Sequence, residues 1–280
     1  MVLLDCGEKG SLGDMYLLAL ARGLEEALVA RGYGPVINAS RETLQRLVVA
    51  KGVDGVVLAF GAERWRLARE LAEGGTACVV VAQAPIEEIP GVGCIQLDLD
   101  NGAREAARTL LDHGHRRIGF IANFDDDVVR AHFAAELKDA GVPLQSDLTV
   151  VAGTGREAGA SAMRRLLSLR ETPTAIFART DMLAAGALQA AKELGIRVPE
   201  DLSIIGHDDI PIAATLALSS VRIDFAEMGL AVAEVLANLL QKRSAPTVPY
   251  VVRTQVIFRK TVSRPPSKDR FRQLPLPRIL

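Results

Sequence analysis

Two adjacent acids, Asp208 and Asp209, follow the apolar run 202–206 and stand where this sequence is best placed to do chemistry. Such a run reads as a buried strand, and in open α/β sheets ligands bind outside the carboxyl ends of strands. A carboxylate there accepts hydrogen bonds from hydroxyl or amine donors, and the bond is charge-assisted. Packing gives no reason to put two acids after a fully apolar strand, so Asp208 reads as a site residue. Asp181 stands at the same end of the preceding apolar strand, 175–178, where a helix begins. Either Thr180 or Asp181 can cap that helix by accepting from its free first-turn amides. The residues alone leave Asp181 open between cap and ligand contact. No nucleophile–base constellation accompanies these acids: there is no Gly-x-Ser-x-Gly elbow, no Walker loop and no Cys-x-x-Cys. No catalytic residue is expected, and the chain reads as a binding protein, not an enzyme.

Three other groups of residues carry weaker signals. Gly153, Gly155 and Gly159 follow a strand and open a helix, as in a phosphate-cradling loop. The spacing is not that of a dinucleotide fingerprint, and a tight turn with close helix packing is the better reading. His113 and His115 flank Gly114 at a helix end. Two histidines without further ligands do not make a metal site, so they read as a C-terminal helix turn. Cys6, Cys78 and Cys94 are far apart in apolar runs and read as buried reduced thiols. No cofactor and no metal is expected. Trp65 is assigned to a half-buried dimer contact.

The elements that must position the acids follow from the pattern. Helical periodicity marks 14–31, 41–51, 63–73, 101–112, 128–140, 156–169, 181–194 and 225–242. Apolar runs mark strands at 2–4, 36–37, 53–60, 77–82, 92–97, 117–121, 148–151, 175–178, 202–206, 219–223 and 250–258, with a loop between 206 and 219. Strand–helix alternation implies parallel sheets with right-handed crossovers. So many strands would make one very wide sheet, so two doubly wound α/β lobes are expected. The segment 264–280 is rich in Pro, Arg and Lys without a period and reads as a poorly ordered tail.

Aromatics make up only 4% of a chain that is 49% hydrophobic, so the core must be built from Ala, Val, Leu and Ile, which suits helix-covered parallel strands. The 33 basic and 34 acidic residues leave a net charge of −1, without the basic excess of a free-standing nucleic-acid binder. No signal peptide and no run of membrane-spanning length is read in the sequence, so a cytoplasmic location is expected.

Four blocks in order carry a resemblance to lactose-repressor-type (LacI/GalR) transcription regulators. They are YLLALARGLEEALVARGY with VDGVVLAF, GAREAARTLLDHGHRRIGF, GALQAAKELGIRVPEDLSIIGHDDI, and VIFRKTVSR. Together they span roughly 2–263. The resemblance implies a type I periplasmic-binding-protein-like fold of two lobes, with crossings near Asp98, Ile223 and Thr254. The first lobe would be 1–97 plus 224–253 and the second 98–223 plus 254–263. It implies a small polar effector between the lobes (a sugar, sugar derivative or nucleobase), a homodimer, and allosteric tuning of operator DNA through an N-terminal head that this chain does not contain. Carried over by motif, the ligand-binding residues would be Asp14, Tyr16, Phe60, Gln83, Phe124, Asp126, Arg130, Asp181 and Asp208. Arg130 stands where the family has its polar-ligand arginine. Leu99, Thr180 and His207 depart from the family's usual Asn, Asn, and Tyr or Phe. The alternative from another class is a solute-binding protein of a transport system, which shares the fold; a dinucleotide-dependent enzyme using the 153–159 loop is a third reading.

Overall fold

The computed structural model describes residues 1–5, 15–38, 40–59, 63–83, 86–124, 128–241 and 248–267. In chain order the elements are β1 (Val2–Asp5), α1 (Met15–Val29), β2 (Pro35–Asn38), α2 (Arg41–Val49), β3 (Gly55–Leu58), α3 (Arg64–Glu73), β4 (Ala77–Gln83) and β5 (Val92–Asp98). Then come α4 (Leu99–Asp112), β6 (Ile118–Ala122), α5 (Val128–Asp139), a 3-10 turn (Ser146–Leu148), β7 (Thr149–Val151) and α6 (Arg156–Leu167). The last are β8 (Ala175–Ala178), α7 (Asp181–Glu193), β9 (Ser203–Asp208), α8 (Pro211–Thr215), β10 (Ser219–Ile223), α9 (Phe225–Leu240) and β11 (Tyr250–Ile257). The fold class is the one the alternation implies, α/β with parallel sheets. The stretch read as a loop before β10 contains α8, which the periodicity could not reveal because it is a single turn and a half, started by Pro211 at its first position.

The chain forms two compact units. One comprises Met1–Asp98 with Asp224–Arg253, the other Leu99–Ile223 with the chain from Thr254 onward. In the first unit the strand order is β2-β1-β3-β4-β5-β11, all neighbours parallel, with Tyr250–Arg253 of β11 beside Ile95–Asp98. Strand β3 is buried at every position and reads as an unbroken apolar run, as expected of a strand covered on both faces. The α1 stripe Leu17, Leu20, Leu24 and Leu28 is buried. Each such leucine contributes roughly 1.5–3 kcal/mol. Helix α1 packs on α9 at Gly23 and Gly229, where a Cβ would lie 2.1 Å from the Phe225 carbonyl oxygen and 2.0 Å from that of Gly23. Trp65 is not at a surface: it is 9% exposed and packs into the core of this unit with Leu44, Val56 and Ala68. Its helix turns it inward, which corrects the dimer-contact assignment.

The second unit has the order β11-β10-β9-β8-β6-β7, with β10–β11 antiparallel and the rest parallel. One face carries Ile121, Ile176 and Ile204 under α6 and α7. On the other face Phe120, Phe133 and Phe177 form a ring cluster, with Phe120 and Phe177 edge-on at 5.5 Å between centroids. Offset and edge-on pairs of this kind add about 0.5–1.5 kcal/mol beyond their burial. Helices α6 and α7 touch backbone to backbone. A Cβ at Gly159 would lie 2.1 Å from Leu183 O, and one at Gly186 would lie 1.9 Å from Arg156 O. Gly153 and Gly155 have φ of 86° and 88°, so the glycine-rich segment makes a turn and a close helix contact, as its plainer reading holds. Cys78 is buried and Cys94 partly buried, both free, while Cys6 lies outside the described residues. Of the tail read at 264–280, residues 268–280 lie outside them too.

Candidate functional site

The C-terminal ends of β8, β9 and β10 gather three acids and several arginines within the second unit. Thr180, extended, caps α7: its Oγ1 accepts the Leu183 N–H at 3.2 Å. That releases Asp181 from capping. Asp181 is fully buried; its Oδ2 accepts the Ile210 N–H at 2.8 Å, and its Oδ1 accepts the Ser220 hydroxyl at 2.6 Å. Space for it exists because position 206 is glycine, where a Cβ would lie 2.3 Å from Oδ1. Burial, and then the negative charge of Asp208, push the Asp181 carboxyl up to about 8. It is therefore protonated at neutral pH.

Asp209 is held differently. Its Oδ2 accepts Arg222 Nε at 2.8 Å, its Oδ1 lies 2.7 Å from Arg259 Nη1, and its N–H donates to Ser220 Oγ at 3.2 Å. Arg259 also donates to Leu218 O at 2.7 Å, so Asp209 fastens the turn after β9 to β10 and to the segment following β11. Asp208, between them in charge and place, has φ of 101°, and Asp209 has φ of 53°. Two consecutive non-glycine residues in this region store strain that the surroundings must hold. The Asp208 Oδ1 lies 2.9 Å from His207 Nδ1 and 3.8 Å from Arg179 Nη1. Arg179 Nη1 is also 3.3 Å from His207 Nδ1, and the His207 ring packs on Phe177 at 6.2 Å. Asp208, His207 and Arg179 thus form one charged, hydrogen-bonding unit at the strand ends.

The other residues named from the sequence are placed as follows. Arg130, partly buried on α5, lines a groove of about 560 Å³ with Ala131, Ala134, Leu144, Ser146, Thr149 and Val151. Neither Asp181 nor Asp208 is among its lining residues. Gln83 ends β4 in the first unit and is partly buried, while Phe124, just beyond β6, is 52% exposed. The backbone of Tyr16 lies in α1; Asp14, Phe60 and Asp126 lie outside the described residues. So Asp181 and Asp208 come together, and Arg130 lines a groove that includes neither. Sequence reasoning missed Arg179. The signal was register: Phe177 pairs with Ile205, so two residues on, Arg179 falls beside His207.

The two histidines of the helix turn have structural partners. His115 Nδ1 meets Thr174 Oγ1 at 2.9 Å, and its Nε2 meets Ser203 Oγ at 3.1 Å and Ser263 O at 2.8 Å. Burial lowers its pKa to about 4, so it stays neutral. No group of three or more potential metal-ligating side chains occurs among the described residues.

Known proteins agree with this architecture. The family described as periplasmic binding protein-like domain matches residues 107–262, more than half of the chain. The chain belongs to that family. Its relatives place it with the LacI/GalR-type regulators. It is similar to the HTH-type transcriptional repressor CytR of Escherichia coli K12, 31% identical over 211 residues, which cover 71% of this chain and 61% of CytR. The chain thus spans less than two thirds of that repressor's length. Among solved structures it is similar to a transcriptional regulator CelR–cellobiose complex, with a TM-score of 0.79 and 27% identity over 93% of this chain and 84% of that one. It is also similar to a LacI family transcriptional regulator of Mycobacterium smegmatis, with a TM-score of 0.77 and 26% identity over 95% of this chain and 100% of that one. In this LacI-type effector domain the matched region contains β6 to β10, and therefore the whole strand-end cluster. None of its described helices is long and apolar enough to cross a membrane.

Proposed function

We propose that this LacI-type domain binds a small polar effector, a sugar, sugar derivative or nucleobase, and that binding tunes the operator affinity of a dimeric, cytoplasmic regulator containing it. No bond is made or broken; the effector shifts a two-state equilibrium by its differential affinity for the two states. The observation that carries the reading is Asp208: a carboxylate at the C-terminal end of β9, on a backbone with φ of 101°, held by His207 and Arg179. Strained backbone at the carboxyl end of a parallel strand is where binding sites in such sheets concentrate. CelR is seen in complex with cellobiose, and CytR is a transcriptional repressor; both support the class of ligand and role proposed here.

The remaining named positions, Asp14, Tyr16, Phe60, Gln83, Phe124, Asp126 and Arg130, enter the proposal as further ligand contacts. Arg130 is the one to test against Asp208, because it stands in its own groove. Thermal shift and calorimetry with ribose, lactose, sucrose, cellobiose, adenine and cytosine are the experiment. At least one should stabilise the wild-type chain, and Asp208→Ala should weaken its affinity about tenfold or more, the worth of a charge-assisted hydrogen bond. Unchanged affinity in Asp208→Ala, or no binding by any compound, contradicts the proposal. Loss of binding in Arg130→Ala keeps Arg130 in the site; retention removes it.

A further inference from the structure

His207 is fully buried and stands where the resembling family usually carries Tyr or Phe. Its Nδ1 is 2.9 Å from Asp208 Oδ1 and 3.3 Å from Arg179 Nη1. One ring nitrogen cannot donate to the carboxylate and accept from the guanidinium at once. If Nδ1 accepted from Arg179, its lone pair would face the carboxylate oxygen at hydrogen-bond distance, with no proton between them. The side chain of Asp208 is 3% exposed, and a carboxylate so far from water needs donors. The proton therefore belongs on Nδ1, pointing at Asp208, and Arg179 serves the same oxygen from 3.8 Å.

From this geometry we propose that His207 is a positioning residue that fixes the Asp208 carboxylate in the orientation in which it meets the effector. Arg222 and Arg259 are engaged by Asp209, Ser220 and the Ile210 N–H by Asp181, and Phe177 supports the imidazole from β8. The strained turn at Asp208 and Asp209 is thus fastened on its far side by Asp209, and on its near side by His207. A phenylalanine at 207 would fill the space but supply no donor. The inference rests on the functional reading above for its consequence, though the positioning itself does not require a ligand.

The test uses three variants of the full chain. In His207→Asn the amide nitrogen replaces Nδ1, in His207→Gln it replaces Nε2, and His207→Phe removes both. Without ligand, amide hydrogen exchange at Asp209 and Ile210 should quicken about tenfold in His207→Phe and His207→Gln and return to the wild-type rate in His207→Asn. For any of the sugars or nucleobases above that binds wild type, affinity should fall about tenfold in His207→Phe and His207→Gln and stay within about twofold in His207→Asn. Should His207→Phe fail to fold, the Asn and Gln pair decides, since both are amides. Wild-type exchange in His207→Gln, or equal loss in Asn and Gln, overturns the proposal. If no compound binds wild type, the functional reading fails, while the exchange rates still decide the positioning role.

Discussion

Asp181 and Asp208 share a side chain and a strand-end address, yet their surroundings give them opposite chemistry. Asp181 is buried against Asp208 and away from any arginine's direct bond, so it holds its proton up to about pH 8. An acid whose folded pKa is raised stabilises the fold below its unfolded value near 4 and loses that contribution as pH climbs towards 8. Asp181→Asn keeps an acceptor for the Ile210 N–H and removes the titration. Melting temperatures of wild type and variant should therefore diverge in favour of Asn between about pH 4 and 8 and run parallel above that; parallel curves across the window would contradict the assignment. His115 behaves in the opposite sense. Its folded pKa of about 4 lies below the ordinary 6.5, so its contribution is complete above pH 6.5 and is lost as pH falls towards 4. The lost stability amounts to roughly 3 kcal/mol. His115→Asn should be less stable at pH 7 but show a flatter acid limb in a pH series of denaturant melts. Of these residue roles, Asp208 was legible as an acid after an apolar strand. The burial of Asp181 was not, because it depends on Gly206 and Ser220, which reach it only through the tertiary fold.

Among the elements, helices and strands were legible wherever the apolar period was long, as in α1, α4 and α9. What the pattern could not give was the reason for its glycines. In an exposed helix, replacing glycine by alanine gains up to about 1 kcal/mol. In α6 the sign reverses, because a methyl at Gly159 would press on the Leu183 backbone, which has no side-chain rotamer to yield. Gly159→Ala should destabilise the chain by about 3 kcal/mol, at the upper end of overpacking costs. Chemical denaturation would measure this, and a stabilised variant would refute the close α6–α7 contact. Helix α4 offers a second case. Asn101 Nδ2 donates to Thr254 O at 2.8 Å, Gly102 N–H to Thr254 Oγ1 at 2.9 Å, and Val256 N–H to Glu105 Oε2 at 2.9 Å. The first two turns of α4 thereby clamp β11. Thr254→Val keeps the shape and leaves the buried Gly102 N–H without its acceptor, which should cost about 1–3 kcal/mol. A neutral effect would mean the clamp is not made.

At the scale of the whole molecule, the chain passes from unit to unit at 98/99, 223/224 and 253/254, so β11 lends its first half to one sheet and its second half to the other. Strand–helix alternation made the α/β class and its parallel sheets readable, because a parallel strand needs a crossover and the crossover leaves a helical period. The family was readable because four motif blocks kept their order along the chain. The arginine beside Asp208 was less so: the motifs name Arg130, which lines a groove on α5, while Arg179, just after β8, shows itself only through the register of β8 on β9. Effector binding at the strand ends is tested by a chemical-shift map on the isotope-labelled chain, titrated with whichever of the sugars or nucleobases stabilises it. The largest saturable shifts should fall on Arg179, His207 and Asp208. Shifts confined to the Arg130 groove, or absent from the ends of β8 and β9, would contradict binding there.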